Sequence, residues 1–101
     1  KNSKVDLTAT SVTTVYTVPT AATSIVKSIL VSDDSGSGDT ITLTITNGSD
    51  VFSLFKTKTI TANGTSELLA APLVLTAGEI LKATAATANR LHIVCSYLEI
   101  T

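Results

Sequence analysis

The sequence predicts an all-β fold: a single antiparallel β-sandwich, jelly-roll-like, with about eight short strands. Three observations carry this. First, Thr40-Ile41-Thr42-Leu43-Thr44-Ile45-Thr46 alternates without a break, with Ile41, Leu43 and Ile45 inward and the threonines outward. Second, turn signals recur at short intervals, at Asn47-Gly48, Ala62-Asn63-Gly64 and Ala77-Gly78. Third, no stretch shows a helical stripe. Ala83–Ala88 is alanine-rich, but it is short, carries threonines and lacks a cap.

Each element follows in chain order. Lys1–Thr8 is polar, then alternating; residues 1–11 read as an N-terminal arm or an edge strand. As an arm this segment would add to a neighbour's open sheet edge. The simpler reading, and the preferred one, is a strand in its own sheet. Val12–Val18 is the first clear strand, stopped by Pro19. Ile25–Ser32 is apolar on both faces, with Val26 and Leu30 opposed to Ile29 and Val31. The polar Asp33–Asp39 loop leads into the alternating strand. After the Asn47-Gly48 turn, Val51–Lys58 should pair back on it. Ser66–Leu69 is a short strand, Pro72 marks an irregular or edge position, and Leu73–Leu75 and Glu79–Ala85 follow. Ala86–Asn89 then leads to the last strand, Arg90–Ile100.

That last strand is apolar on both faces. Ile93, Cys95 and Tyr97 point one way; Val94, Leu98 and Ile100 point the other. Such a strand needs cover on both sides, which a second sheet and another subunit would supply. Val94, Leu98 and Ile100, with Tyr16 and Tyr97, are therefore the candidate interface residues.

A chain of 101 residues has room for one domain, 1–101, and no repeat or linker divides it. Apolar residues make up 44% and charged ones 15%, against about 25% charged in typical soluble domains. Mean hydropathy is +0.40. Two readings stay open: part of the surface is covered in the working state, or Thr and Ser form the solvent face. A net charge of −1 and a pI of 5.6 give no drive toward nucleic acid or an anionic membrane. No apolar run approaches the roughly 20 residues of a helical membrane span, and no signal-peptide pattern is visible.

Candidate chemistry is sparse. Cys95 is the only cysteine, sits inside an apolar strand, and reads as a small buried hydrophobe. His92 is the only histidine. Three residues apart in a strand, the two project from opposite faces and cannot form a nucleophile–base pair without a bulge. Asp33, Asp34 and Asp39 share one loop, but their spacing matches no EF-hand and a solvated loop is the better reading. Asn47-Gly48-Ser49 and Asn63-Gly64-Thr65 fit the glycosylation sequon and read as turns. Thr40, Thr42, Thr44 and Thr46, then Thr57, Thr59 and Thr61, form short ladders better explained as wet strand faces than as an ice-binding array. Sugar-binding sandwiches usually offer exposed aromatics. Here Phe52, in line with Leu54, reads as core, and Tyr16 as a surface contact. No acidic pair is placed for acid–base work, and no phosphate-cradling loop is present. No enzyme and no cofactor are expected.

Five ordered phrases carry a resemblance: Val15–Pro19, Ser24–Val31, Leu68–Leu75, Ala77–Lys82 and Val94–Ile100. Together, over most of the chain, they resemble small β-sandwich virion proteins of tailed bacteriophages, of marine or cyanobacterial type. The shared motifs are turns and buried strands. The resemblance implies a non-enzymatic structural component of the virion, foremost a capsid decoration or cement protein stabilising the shell. Tail, neck or fibre accessory proteins are the close alternative, and a carbohydrate-binding module on a host-contacting fibre is the alternative of a different kind. It also implies a homo-oligomer, with a trimer favoured, and partners such as the major capsid protein. No catalytic residue is carried over.

Overall fold

Two β-strand runs meet at a two-residue turn and set the frame. The alternating segment forms β4 (Asp39–Asn47), and β5 (Asp50–Ile60) returns beside it. The computed structural model describes residues 1–101. Asn47 pairs with Asp50, so the turn centres on Gly48-Ser49 rather than on Asn47-Gly48. Only Gly48 takes a positive φ, 62°, as the first central residue of a tight hairpin can.

The remaining strands are β1 (Asn2–Asp6), β2 (Thr13–Thr17), β3 (Thr23–Asp33), β6 (Thr65–Glu67), β7 (Leu73–Leu75), β8 (Ile80–Ala85) and β9 (Leu91–Ile100). No helix is present. All pairings are antiparallel: β1 with β9, β2 with β8, β3 with β6 and β7, β4 with β5. The chain is thus paired like one long hairpin. Rolling that hairpin up sets β9 beside β3 and β8 beside β4. The result is one sheet ordered β1-β9-β3-β6, with β7 also on β3, and a second ordered β2-β8-β4-β5. This is the jelly-roll topology, and the N-terminal segment takes its place as a strand in its own sheet.

Nine strands form where about eight were expected, because the N-terminal segment adds β1 to them, and the edge strand on β3 comes in two pieces. β6 pairs with Leu30–Ser32 and β7 with Ser24–Val26. Between these stretches β3 carries a bulge at Val26/Ser28, so a continuous partner cannot keep register with both. Pro72 falls in the break. The strand expected over Ser66–Leu69 therefore stops at Glu67.

The bulge also corrects the assignment of faces on β3. Val26, Ile29 and Val31 are all buried, and Leu30 points outward at 38% exposure. The extra residue, exposed Lys27, shifts the parity between Val26 and Ile29, so the two share the inner face. The core between the sheets joins these to Leu7, Ile41, Leu43, Ile45, Ile60, Leu75, Leu81, Leu91, Ile93 and Cys95. Each alternating strand sends its apolar set into this one space.

Phe52 departs from its expected core place and is 56% exposed. It lies opposite Ile45 on the edge strand β5, near the hairpin tip, beyond the cover of the facing sheet. Leu54 and Phe55 pack on the core instead. Register shifts on either side of Leu43 move this part of β5, and Thr57 sits at φ 50° with its N–H donated to Thr42 Oγ1 at 3.1 Å. A β-branched residue in that region is strained, and here it interrupts the second threonine ladder. Such a kink, with Lys56 and Lys58, makes the long β5 edge a poor template for another strand.

Candidate functional site

The outer face of the β1-β9-β3 sheet is where the chain departs from an ordinary wet sandwich surface. Registers place side chains in rows across the strands, and directly opposed residues share a face. One row runs Lys4, Val94, Leu30, Glu67. The next runs Asn2, Ser96, Ser28. A third runs Leu98, Ile25, Val74. Ile100 and Thr23 close the end. Leu98 is 48% exposed, Ile100 51% and Val74 58%, while Val94 and Ile25 are half-buried. Six apolar side chains therefore lie on the outer face of one sheet, four of them exposed and two half-buried.

Val94, Leu98 and Ile100 thus stand where the sequence put them, pointing away from the core. Ile25, Leu30 and Val74 join them only through the register of β3 and β7, strands 20 and more residues away in the chain. The apolar residues at Ile25 and Leu30 were the available sequence signal, but the bulge hid which face they shared.

Glu67 is fixed at the rim of this face. Its carboxylate accepts Ser28 Oγ–H, Ile29 N–H at 2.8 Å and Leu69 N–H at 3.2 Å. Partial burial pushes its pKa up, yet these hydrogen bonds outweigh that and hold it below the usual range.

Tyr16 and Tyr97 belong to the interior, and Tyr16 is not the surface contact expected. Tyr16 is 5% exposed. Its ring stacks on Tyr97, on the inner face of β9, with centroids 4.0 Å apart. Its hydroxyl donates to Glu99 Oε2 at 2.6 Å, and Glu99 Oε1 takes Lys1 Nζ at 2.7 Å. Burial, with the Glu99 hydrogen bond second, pushes the Tyr16 hydroxyl up to about 12. The Lys1 and Tyr16 hydrogen bonds hold the Glu99 carboxyl below its usual range. A tyrosine alone in sequence gave no hint of a carboxylate 83 residues away.

The acidic loop is a structural knot. Asp33 accepts Ser35 Oγ–H at 2.6 Å, Ser35 N–H at 3.1 Å, Gly38 N–H at 2.8 Å and Asn63 N–H at 3.1 Å. Led by the Ser35 hydroxyl, these donors outweigh burial and lower its pKa to about 2. Gly38 has φ 74°, and an added Cβ would stand 3.1 Å from Ile60 O. Asp39 accepts Thr87 N–H at 2.8 Å. No three His, Cys, Asp or Glu side chains gather to hold a metal ion.

Cys95 is fully buried, and burial raises its thiol to about 11. His92 points out from the opposite face, its Nε2 3.1 Å from Asp6 Oδ1 and its Nδ1 3.7 Å from Asp34 Oδ2. Neither carboxylate was linked to His92 by sequence spacing. Beside it, an open concavity of about 360 Å³ is lined by Lys4, Val5, Asp6, His92, Ile93 and Val94. It offers no hydroxyl or thiol nucleophile. What this surface offers chemically is apolar contact rimmed by a few charges.

No protein-family model, curated protein or solved structure matches this chain.

Proposed function

We propose that this protein is a non-enzymatic structural component of a bacteriophage virion, foremost a capsid decoration or cement protein that stabilises the shell. The observation that carries the assembly part is the uncovered apolar face holding Val94, Leu98, Ile100, Leu30, Ile25 and Val74. A monomer that stayed alone would keep these two apolar rows, separated by Ser96 and Ser28, in water at a free-energy cost. A rigid sandwich offering one apolar face suits a part repeated many times in a lattice, where weak contacts add through multivalency. The assignment to a phage particle rests on the sequence resemblance. A tail, neck or fibre accessory role uses the same face.

The test is co-sedimentation of purified protein with undecorated capsids, followed by heating the shells. Binding that raises the temperature of shell rupture supports the proposal. Protein left in the supernatant at every concentration counts against a decoration role.

A second reading gains from one observation. Phe52 is exposed near the β4–β5 tip beside Val51, which is 63% exposed. An exposed aromatic is what a carbohydrate-binding module uses to stack on sugar rings. A glycan array settles it: binding abolished by Phe52→Ala supports the module, and no binding removes it.

A further inference from the structure

We infer that the uncovered sheet face is covered by a second copy of this chain, docked about a twofold axis running along the strands between β9 and β3. This deepens the assembly reading of that face and rests on it, but not on which particle the protein serves.

The argument comes from the rows. A twofold along the strands reverses the strand order while keeping each row at its own level. β9 then lies over the partner's β3, and β1 over the partner's β6. In the first row Val94 meets Leu30 and Lys4 meets Glu67, each contact made twice. In the third row Leu98 meets Ile25, again twice. Between them Ser96 meets Ser28. In the row at the far end Asp6 and His92 meet Thr65 and Ser32. Within the rows no like charges meet, and Lys4 and Glu67 stand at the two ends of one row; the exposed bulge residue Lys27 lies between rows on β3. This self-complementarity is what an isologous contact demands.

Two further features suit this partner. Glu67 is already fixed by Ser28, Ile29 and Leu69, so little ordering remains when a lysine arrives. Its Oε1 carries only the Ser28 hydrogen bond, which leaves a lone pair free for Lys4. Two apolar rows on the central strands, separated by the Ser96–Ser28 row, lie between a charge pair at each rim. Twisted sheets packed face to face cross at about 30°, which keeps the central rows in contact and lets the rim lysine reach by its length.

The experiment is light scattering across a concentration series, with folding checked by thermal melting. The expected mass is twice the 10.4 kDa of one chain. Leu98→Asp places a charge at the centre of both halves and leaves monomer at every concentration. Lys4→Glu weakens the dimer about tenfold. Adding Glu67→Gln to Lys4→Glu keeps the acceptor for Ser28, removes the repulsion and recovers most of that loss. Leu98 and Lys4 are both exposed in the single chain, so these variants fold. A mass of one chain or of three chains overturns the inference. So does a two-chain mass indifferent to Leu98→Asp or Lys4→Glu, or a Lys4→Glu loss that Glu67→Gln does not relieve. Capsid co-sedimentation is read separately, so a monomer that binds shells sinks the twofold alone. A dimer that ignores shells sinks the decoration role alone.

Discussion

The two outer faces of this sandwich differ sharply. On the β2-β8-β4-β5 sheet the outward rows are mostly polar: Thr14, Lys82, Thr44 and Ser53, then Thr17, Ile80, Thr46 and Val51, with Thr84 beside Thr42 and Thr59 beside Thr40. On the β1-β9-β3 sheet they hold Val94 and Leu30, then Leu98, Ile25 and Val74. Both sheets send equally apolar side chains into the shared core. Folding needs only those inner faces. The threonines show what an outer face looks like when water is its neighbour, since a β-branched residue with a hydroxyl suits an exposed strand. The apolar residues opposite them add nothing to this chain's own core. The low charge of the sequence thus had two causes at once, one on each face.

Substitutions sharpen this contrast, beginning with the largest expected effect. Leu91→Ala removes a fully buried side chain and should destabilise the fold by about 2–5 kcal/mol in urea denaturation of dilute protein. Leu98→Ala, on the outer face of the same strand, should shift that midpoint by less than about 1 kcal/mol. A Leu98→Ala loss as large as Leu91→Ala would mean that the outer face is part of the monomer's own stability.

Asp33→Asn should act through pH. The carboxyl titrates near its usual value, 3.8, when unfolded and near 2 when folded, so it stabilises fully above about pH 4. That contribution is lost as pH falls from about 4 to 2. Acid melts of the native chain should steepen in that window, and those of Asp33→Asn should be flatter there and weaker at neutral pH. Equal pH slopes for both proteins would show that the loop knot does not couple to folding.

Tyr16→Phe removes one hydroxyl that donates to Glu99 and should cost about 1 kcal/mol, read by thermal melting. Its stacking on Tyr97 remains, so a much greater loss would point to a wider role for that network. Thr44→Val on the wet face should stay within about 0.5 kcal/mol and leave the solution mass unchanged. A gain in association on adding that one methyl would show that the second face is also poised for contact.

Much of the fold was legible because it is written locally. Period-two alternation in Thr40–Thr46, the glycines at 48, 64 and 78, and Pro19 and Pro72 act on their own neighbours, and each element they mark is present. The outward turn of Val94, Leu98 and Ile100 was legible for the same reason, since parity within one regular strand needs no partner. What tertiary structure alone decided depends on register between distant segments. The β3 bulge, tied to its pairing with β9, put Val26 and Ile29 on one face. Its place near the β4–β5 tip left Phe52 exposed although it pairs with inward-facing Ile45. The packing of the two sheets brought Tyr16 onto Tyr97 and Glu99, and the β1–β9 pairing set His92 beside Asp6. The row from Lys4 to Glu67 spans four strands drawn from both ends and the middle of the chain. Local propensity names the strands; only their pairing, where a one-residue shift reverses every side chain, decides which residues share a surface.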